Sequence, residues 1–251
     1  MYKWKVCPIQ GRQLKDVRPE DIFGDFRICK TYRIGGGYDK LDDIAFSRGV
    51  NCRGDASLQF VAQLYGCHLR CPYCYVTKDG IFGEYKEYYT TTMLLKFHDA
   101  YHEFGCGVFH LMGGAPALYI EHWPEILDYL NNSFIFHSDL LLTEKIYPRS
   151  VLKEINRLNT LYAVNIKGTT IKNYRDNTGR NLPEHGEIFH ENLDRIVDSG
   201  LNFYLTFTNP DKMYLESYKN RLSERYGSWI LHDSFVIDLV DYEALEEGDA
   251  F

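Results

Sequence analysis

From Ser57 onward, the chain alternates short apolar runs with longer segments whose apolar residues recur at helical spacing. Six of the apolar runs are predicted to be strands, at about 57–65, 108–112, 134–142, 161–167, 203–208 and 235–240. Because strands that are separated by helices pair in parallel, this alternation predicts an α/β fold of repeated βα units. A partial barrel and an open doubly wound sheet both fit the pattern, and both place their functional sites at the carboxyl ends of the strands.

The segments between these strands are predicted to be amphipathic helices that cover the sheet. Four are expected at about 91–104, 120–131, 148–158 and 211–226, and another ends at Gly200. Residues 1–56 do not follow the repeat, and we expect them to form an irregular N-terminal extension over one edge or the mouth of the sheet. They include a glycine run at 34–37 and a charged KLDD stretch. The core is therefore expected over 57–251, with an acidic C-terminal tail, EALEEGDAF.

Charge and hydropathy exclude some classes of function. The net charge of −7 provides no basic field for a nucleic-acid backbone, so nucleic acid is an unlikely substrate. The apolar runs are far shorter than the roughly 18 residues of a membrane-spanning helix. The N-terminal residues lack the apolar block of a secretory signal, and we expect a cytoplasmic protein.

Three of the seven cysteines, Cys67, Cys71 and Cys74, follow the first predicted strand in the spacing C-x3-C-x2-C. Three thiolates this close together can each bind one iron of a cubane [4Fe–4S] cluster, which leaves the fourth iron open to another ligand. A structural zinc ion with His68 as a fourth ligand is the alternative, although zinc sites commonly pair two such knuckles and no second one follows. The other four cysteines are expected to be buried structural thiols.

The motif Cys67-x3-Cys71-x-Tyr73-Cys74 at the end of a first strand resembles the signature of the radical S-adenosylmethionine (radical SAM) superfamily. The resemblance implies a partial (β/α)6 barrel of parallel strands, with one [4Fe–4S] cluster on the three cysteines and with S-adenosyl-L-methionine (SAM) on the open iron beside Tyr73. In this superfamily the reduced cluster cleaves SAM to methionine and a 5′-deoxyadenosyl radical, which abstracts a hydrogen atom from the substrate. It also implies a small one-electron reductant protein of the flavodoxin or ferredoxin type.

A second motif follows the next predicted strand. Gly113-Gly114-Ala115-Pro116 resembles the Gly-Gly-Glu-Pro element that holds the amino group of SAM, with Ala115 in place of the glutamate. Glycines let backbone carbonyls approach an ammonium closely, and the substitution leaves these backbone acceptors in place. The resemblance therefore implies that all four residues contact SAM.

A third motif, Asn165-Ile166-Lys167-Gly168, resembles the Asp-Leu-Lys stretch in the activating enzymes of glycyl-radical enzymes. The resemblance implies that Lys167 reaches the carboxylate of SAM, whereas Asn165 departs from the aspartate of that branch. A lysine at a strand end is otherwise often an edge residue whose stem covers apolar surface. Ser138 and Asp139, in the third strand, are further candidates for contacts with the ribose or the carboxylate of SAM, although neighbouring backbone can equally satisfy such polar residues.

These motifs lead to an expected function with two alternatives. We expect a radical SAM enzyme that abstracts hydrogen from a small-molecule or other substrate that the sequence does not identify. The first alternative is an activating enzyme that installs a glycyl radical in a partner protein. The second, of another class, is a non-catalytic protein in which the three cysteines hold a structural metal ion.

Overall fold

The computed structural model describes residues 1–9, 19–30, 52–74, 76–141, 145–180, 184–232 and 236–240. The strands are β1 (Lys3–Val6), β2 (Ile22–Phe23), β3 (Phe26–Lys30), β4 (Asp55–Gln63), β5 (Lys86–Tyr89), β6 (Cys106–Met112), β7 (Ile135–Leu140), β8 (Thr160–Ile166), β9 (Phe203–Thr208) and β10 (Val236–Val240). The α-helices are α1 (Lys78–Phe82), α2 (Thr90–Phe104), α3 (Trp123–Leu130), α4 (Arg149–Ile155), α5 (Ile171–Thr178), α6 (Glu184–Ser199) and α7 (Lys212–Tyr226). Short 3-10 turns occur at Pro19–Asp21, Pro116–His122 and Ser228–Leu231.

The main sheet has eight strands in the order β10-β9-β8-β7-β6-β4-β3-β2. The six strands from β4 onward that the sequence predicts all pair in parallel. Within the described residues the sheet is open, because β2 and β10 lie at its two edges. The expected α/β fold with a partial barrel of parallel strands is confirmed.

The N-terminal extension is more regular than expected. β3 pairs antiparallel with β4, and β2 pairs antiparallel with β3, so the extension lengthens the sheet at one edge. β1 forms a separate two-stranded antiparallel sheet with β5. The glycine run at 34–37, the KLDD stretch and the acidic tail lie outside the described residues.

The predicted helices are present, with changes in their limits. The segment at 116–131 is a 3-10 turn followed by α3, because Tyr119 leaves helical geometry at φ −112° and ψ 18°. α1 and α5 were not predicted, since each is too short to show an apolar period. None of the described helices has both the length and the hydropathy of a membrane span.

Side chains alternate between the two faces of the main sheet. On the outer face, residues such as Phe109, Leu111, Phe136 and Leu140 are buried with Trp123 of α3 in the main core. Each such burial contributes roughly 1.5–3 kcal/mol. The inner face carries polar residues instead, namely Gln59, Gln63, His110, His137, Asp139, Asn165, Tyr204 and Thr206. The fold therefore lines the concave side of the sheet with groups that can bind or react.

Candidate active site

The three cysteines lie on one loop, residues 66–74, which directly follows β4 and is called the cysteine loop below. Three elements hold this loop through backbone hydrogen bonds. Gly66 N–H donates to Ile81 of α1 at 2.8 Å, and Arg70 N–H donates to Thr178 of α5 at 2.8 Å. Ala115 N–H donates to the Gly66 carbonyl, also at 2.8 Å. The loop is thus positioned at the carboxyl end of the parallel strands, where the fold predicts the site.

The cysteine side chains are only partly accessible. Cys71 is buried, whereas Cys67 and Cys74 are half-buried. Burial raises the pKa of Cys71, and it raises the pKa of Cys74 to about 11; the Lys167 ammonium lowers both values. Because iron binds thiolates, loading the site with iron must displace protons from these thiols.

The ligands of a single metal ion and those of a cubane cluster are arranged differently. Among the residues that the structure describes, no three His, Cys, Asp or Glu side chains converge closely enough to hold one ion. A cubane cluster does not require such convergence, because each of its cysteines binds a different iron.

The glycine segment, residues 113–116, packs directly against the cysteine loop. Gly113 and Gly114 have φ angles of +69° and +53°, in the left-handed region. A Cβ on Gly114 would lie 2.3 Å from the Gly66 carbonyl oxygen and 2.6 Å from that of Leu64. A Cβ on Gly113 would lie 2.3 Å from Cγ of Gln63. Glycine at position 114 thus allows two backbones to approach closely, whereas glycine at position 113 makes room for the Gln63 side chain.

Lys167 follows β8 and extends toward the cysteine loop. Its Nζ lies 5.9 Å from the ring centre of Tyr73 and donates a hydrogen bond to Thr208 Oγ1 at 3.4 Å. Among the described residues, no carboxylate forms an ion pair with this ammonium. The site therefore holds a half-buried cation beside the cysteines that is open to an anionic group.

Asp139 and Ser138 lie on opposite faces of β7. Burial raises the pKa of Asp139 to about 6, although the Lys167 charge and a hydrogen bond from Asn165 act in the other direction. Asn165 Oδ1 in turn accepts a hydrogen bond from Thr206 Oγ1 at 2.6 Å. Ser138 is fully buried on the outer face and donates to a backbone carbonyl at 3.3 Å. The structure thus brings Asp139 to the inner face and does not bring Ser138 to the site.

A row of buried polar residues crosses the inner face, and sequence reasoning missed most of it. His110 Nδ1 lies 2.9 Å from Gln59 Oε1, and His137 Nε2 lies 2.8 Å from the Tyr204 hydroxyl. The two imidazole rings are 4.1 Å apart between centres. Burial lowers the pKa of His137 to about 3 and that of His110 well below its usual range. His110 and His137 pair across two neighbouring strands that are otherwise largely apolar. Their equivalent positions in the two predicted strands could have indicated this row.

A cavity of about 230 Å³ opens beside the end of β8. Lys167 and Asn165 form part of its wall, and the aromatic rings of Tyr174, Phe189 and Tyr218 form another part. Two of the residues that the motifs single out thus border a space that can admit a small molecule.

Comparisons with known proteins identify the family of this chain. The family model "Radical SAM superfamily" matches residues 63–219. Comparison with curated protein sequences gives no match.

The fold resembles solved structures of SuiB from Streptococcus suis. The SuiB crystal structure aligns with a TM-score of 0.56 and 10% identity, over 85% of this chain and 45% of SuiB. SuiB bound to S-adenosylmethionine gives a TM-score of 0.54 and 9% identity, over 85% of this chain and 47% of SuiB. SuiB bound to the precursor peptide SuiA gives a TM-score of 0.50 and 8% identity, over 86% of this chain and 48% of SuiB. This chain spans about half the length of these structures. Because the family model covers more than half of its sequence, the chain belongs to the radical SAM superfamily.

Proposed function

We propose that this enzyme binds one [4Fe–4S] cluster through Cys67, Cys71 and Cys74 and acts with SAM on a small-molecule or other substrate. The observation that carries the proposal is the meeting of the cysteine loop, the glycine segment and Lys167 at the carboxyl end of the sheet. When bound, the cluster and SAM supply a one-electron cleavage that yields a 5′-deoxyadenosyl radical able to take a hydrogen atom from a substrate.

The residues around the cysteine loop suit the amino and carboxylate groups of SAM. The Lys167 ammonium, which forms no ion pair with a carboxylate of the described residues, is offered to the carboxylate of SAM. A charge-assisted contact of this kind contributes roughly 1.5–3 kcal/mol. The family resemblance assigns the amino group to the backbone carbonyls of the glycine segment, and the packing of this segment against the cysteine loop supports that assignment. Tyr73, which is 5% exposed, covers the buried side of the cysteine loop and excludes water there.

In this proposal, Asp139 contacts the substrate or the ribose of SAM from the inner face. Its raised pKa of about 6 means that it can hold or release a proton near neutral pH. Asn165 donates a hydrogen bond to the Asp139 carboxyl group and accepts one from Thr206. These two bonds connect Asp139 to β8 and β9.

A peptide or protein substrate is the second candidate. The fold resembles that of SuiB, which was solved bound to the precursor peptide SuiA. This candidate includes the installation of a glycyl radical in a partner protein. The likeness of residues 165–168 to the Asp-Leu-Lys stretch of the activating enzymes supports that reaction. In either case a small reductant protein of the flavodoxin or ferredoxin type supplies the electron. The cavity beside Lys167 favours the small molecule.

The proposed function is tested by product formation. After anaerobic loading with iron and sulfide, the protein is incubated with dithionite and SAM, and 5′-deoxyadenosine is measured by chromatography. We expect 5′-deoxyadenosine from the wild type and none from Cys71→Ala. Cell extract separated by size is then added: stimulation by the low-mass fraction supports a small-molecule substrate, and stimulation by the protein fraction supports the second candidate. No 5′-deoxyadenosine from the loaded wild type would contradict the proposal.

A further inference from the structure

Gln63 is the last residue of β4 and lies immediately before the cysteine loop. Its side chain is fully buried. Phe60, Ala62 and Leu64 belong to the core on the outer face, so Gln63 lies on the inner face. It pairs across the sheet with Met112, the residue that precedes the glycine segment.

One polar atom of the Gln63 side chain has no hydrogen-bond partner within the described part of the chain. The amide Nε2 donates a hydrogen bond to the Gly80 carbonyl at 2.6 Å. The opposite amide orientation would face two carbonyl oxygens toward each other, so the orientation is fixed. Oε1 is buried and accepts no hydrogen bond from the described residues. A buried acceptor left in this state is costly, and it calls for a donor other than the residues that the structure describes.

The neighbouring glycine segment needs an acceptor of this kind. Gly113 lies so close to Gln63 that a Cβ there would be 2.3 Å from Cγ of the glutamine. Ala115, which stands where related sequences carry a glutamate, is fully buried in an apolar cluster with Leu69, Cys71 and Tyr73. Its methyl group cannot accept a hydrogen bond, so no side-chain acceptor comes from the segment itself.

We propose that Gln63 Oε1 accepts a hydrogen bond from the amino group of SAM and so replaces the carboxylate that position 115 lacks. Gln63 is a binding residue in this account, and the account rests on the proposed function. The acceptor reaches the amino group from β4, whereas the resemblance alone places all contacts to that group in the glycine segment.

The test compares Gln63→Leu with Gln59→Leu. Gln59 is a matched control because it lies on the same strand and face and is 1% exposed. Both of its amide atoms are partnered, Oε1 with His110 at 2.9 Å and Nε2 with Cys29 Sγ at 3.5 Å. SAM affinity is measured by anaerobic titration of the iron-loaded proteins and expressed per cluster. We expect at least a tenfold weaker affinity in Gln63→Leu and less than a threefold change in Gln59→Leu.

Two further arms identify the contact. Gln63→Glu keeps an acceptor at this position, provided that the carboxyl group carries a proton that it donates to the Gly80 carbonyl in place of Nε2. With that contact kept, we expect its SAM affinity to remain within threefold of the wild type. Decarboxylated S-adenosylmethionine keeps the amino group but lacks the carboxylate. Gln63→Leu should weaken the binding of both ligands, whereas Lys167→Ala should weaken only that of intact SAM.

The outcomes separate this inference from the function on which it rests. A wild type that binds no SAM would overturn the proposed function. A wild type that binds SAM, together with a Gln63→Leu protein of equal affinity and full iron content, would overturn only the assignment of Gln63. Loss of iron from both Gln63 variants would also overturn it, because the residue would then act through the folding of the cysteine loop.

Discussion

The Lys167 ammonium lies 5.9 Å from the centre of the Tyr73 ring, which links the end of β8 to the cysteine loop. This cation–π contact holds a charge beside the cysteines without neutralising it, because an aromatic ring attracts a cation but carries no net charge. Burial raises the pKa of Cys71, Cys74 and Asp139, and the same ammonium opposes this rise in all three groups. A single lysine thus acts on ionisable groups of both the cysteine loop and β7.

Replacing Lys167 tests its role toward SAM. Lys167→Ala removes a charge-assisted contact to a carboxylate, and we expect SAM affinity to fall by ten- to a hundredfold, or roughly 1.5–3 kcal/mol. The iron content should stay at the wild-type level. Lys172→Ala is the control, because Lys172 is exposed on α5 and pairs with Asp176. Unchanged affinity in fully loaded Lys167→Ala would make Lys167 an edge lysine with no binding role.

Replacing one cysteine should separate cluster binding from folding. We expect Cys71→Ala to lose most of its iron while its free energy of unfolding, measured without iron, changes by only about 1 kcal/mol, because Cys71 lies outside the main core. Cys52→Ala, a half-buried cysteine outside the cysteine loop, should keep its iron. Iron content by colorimetry and urea unfolding measure the two effects. A Cys71→Ala protein that unfolds altogether would support a fold that depends on metal.

The glycine segment can be tested with two alanine substitutions at positions of positive φ. Gly105→Ala meets no atom within 4 Å, so it adds only the backbone cost of roughly 1–2 kcal/mol at φ +80°. Gly114→Ala carries the same kind of cost and also forces the Gly66 and Leu64 carbonyls apart. We therefore expect Gly114→Ala to be less stable than Gly105→Ala and to bind less iron. Equal stability and iron content would show that the segment does not constrain the cysteine loop.

The buried histidines predict a loss of stability in acid. Burial lowers the pKa of His110 and His137, so below the unfolded value of roughly 6.5 the unfolded chain binds more protons than the folded chain. Their contribution is complete above that pH and is lost as pH falls, by roughly 1.4 kcal/mol per pH unit for each histidine. Asp139, whose pKa is raised, acts in the opposite direction below about pH 6.

The comparison of wild type with the double variant His110→Gln/His137→Gln isolates the histidines, because Asp139 is present in both. The free energy of unfolding is measured from pH 7.5 to 4.5 on iron-free protein. We expect a steeper fall in the wild type. Parallel curves would mean that the pair titrates normally.

Much of the main sheet could be predicted from the sequence, because its strands are local apolar runs between amphipathic helices. The cysteine loop and the glycine segment were also visible, since each follows a strand directly. β1 and β5 were not, because Lys3 and Tyr89 pair across more than 80 residues and neither strand shows a distinctive apolar pattern. α5 was missed because eight mostly polar residues give no clear apolar face.

The orientation of side chains was the other limit. Ser138 and Asp139 are adjacent in a predicted strand that has apolar residues on both sides of them, and the sequence does not say which of the two faces inward. The packing of Phe136 and Leu140 in the main core decides it, because side chains alternate along β7. The unpartnered oxygen of Gln63 likewise depends on a contact with Gly80, which belongs to a helix that was not predicted.

The central claim is that three cysteines hold a four-iron cluster with one iron open to SAM. Its most direct test is iron and sulfide analysis of the anaerobically loaded protein, followed by electron paramagnetic resonance of the reduced protein before and after addition of SAM. The account predicts about four irons per chain and a spectrum that changes when SAM is added, as three-cysteine ligation requires. A colourless zinc protein, or a four-iron spectrum that SAM leaves unchanged at saturating concentration, would contradict it.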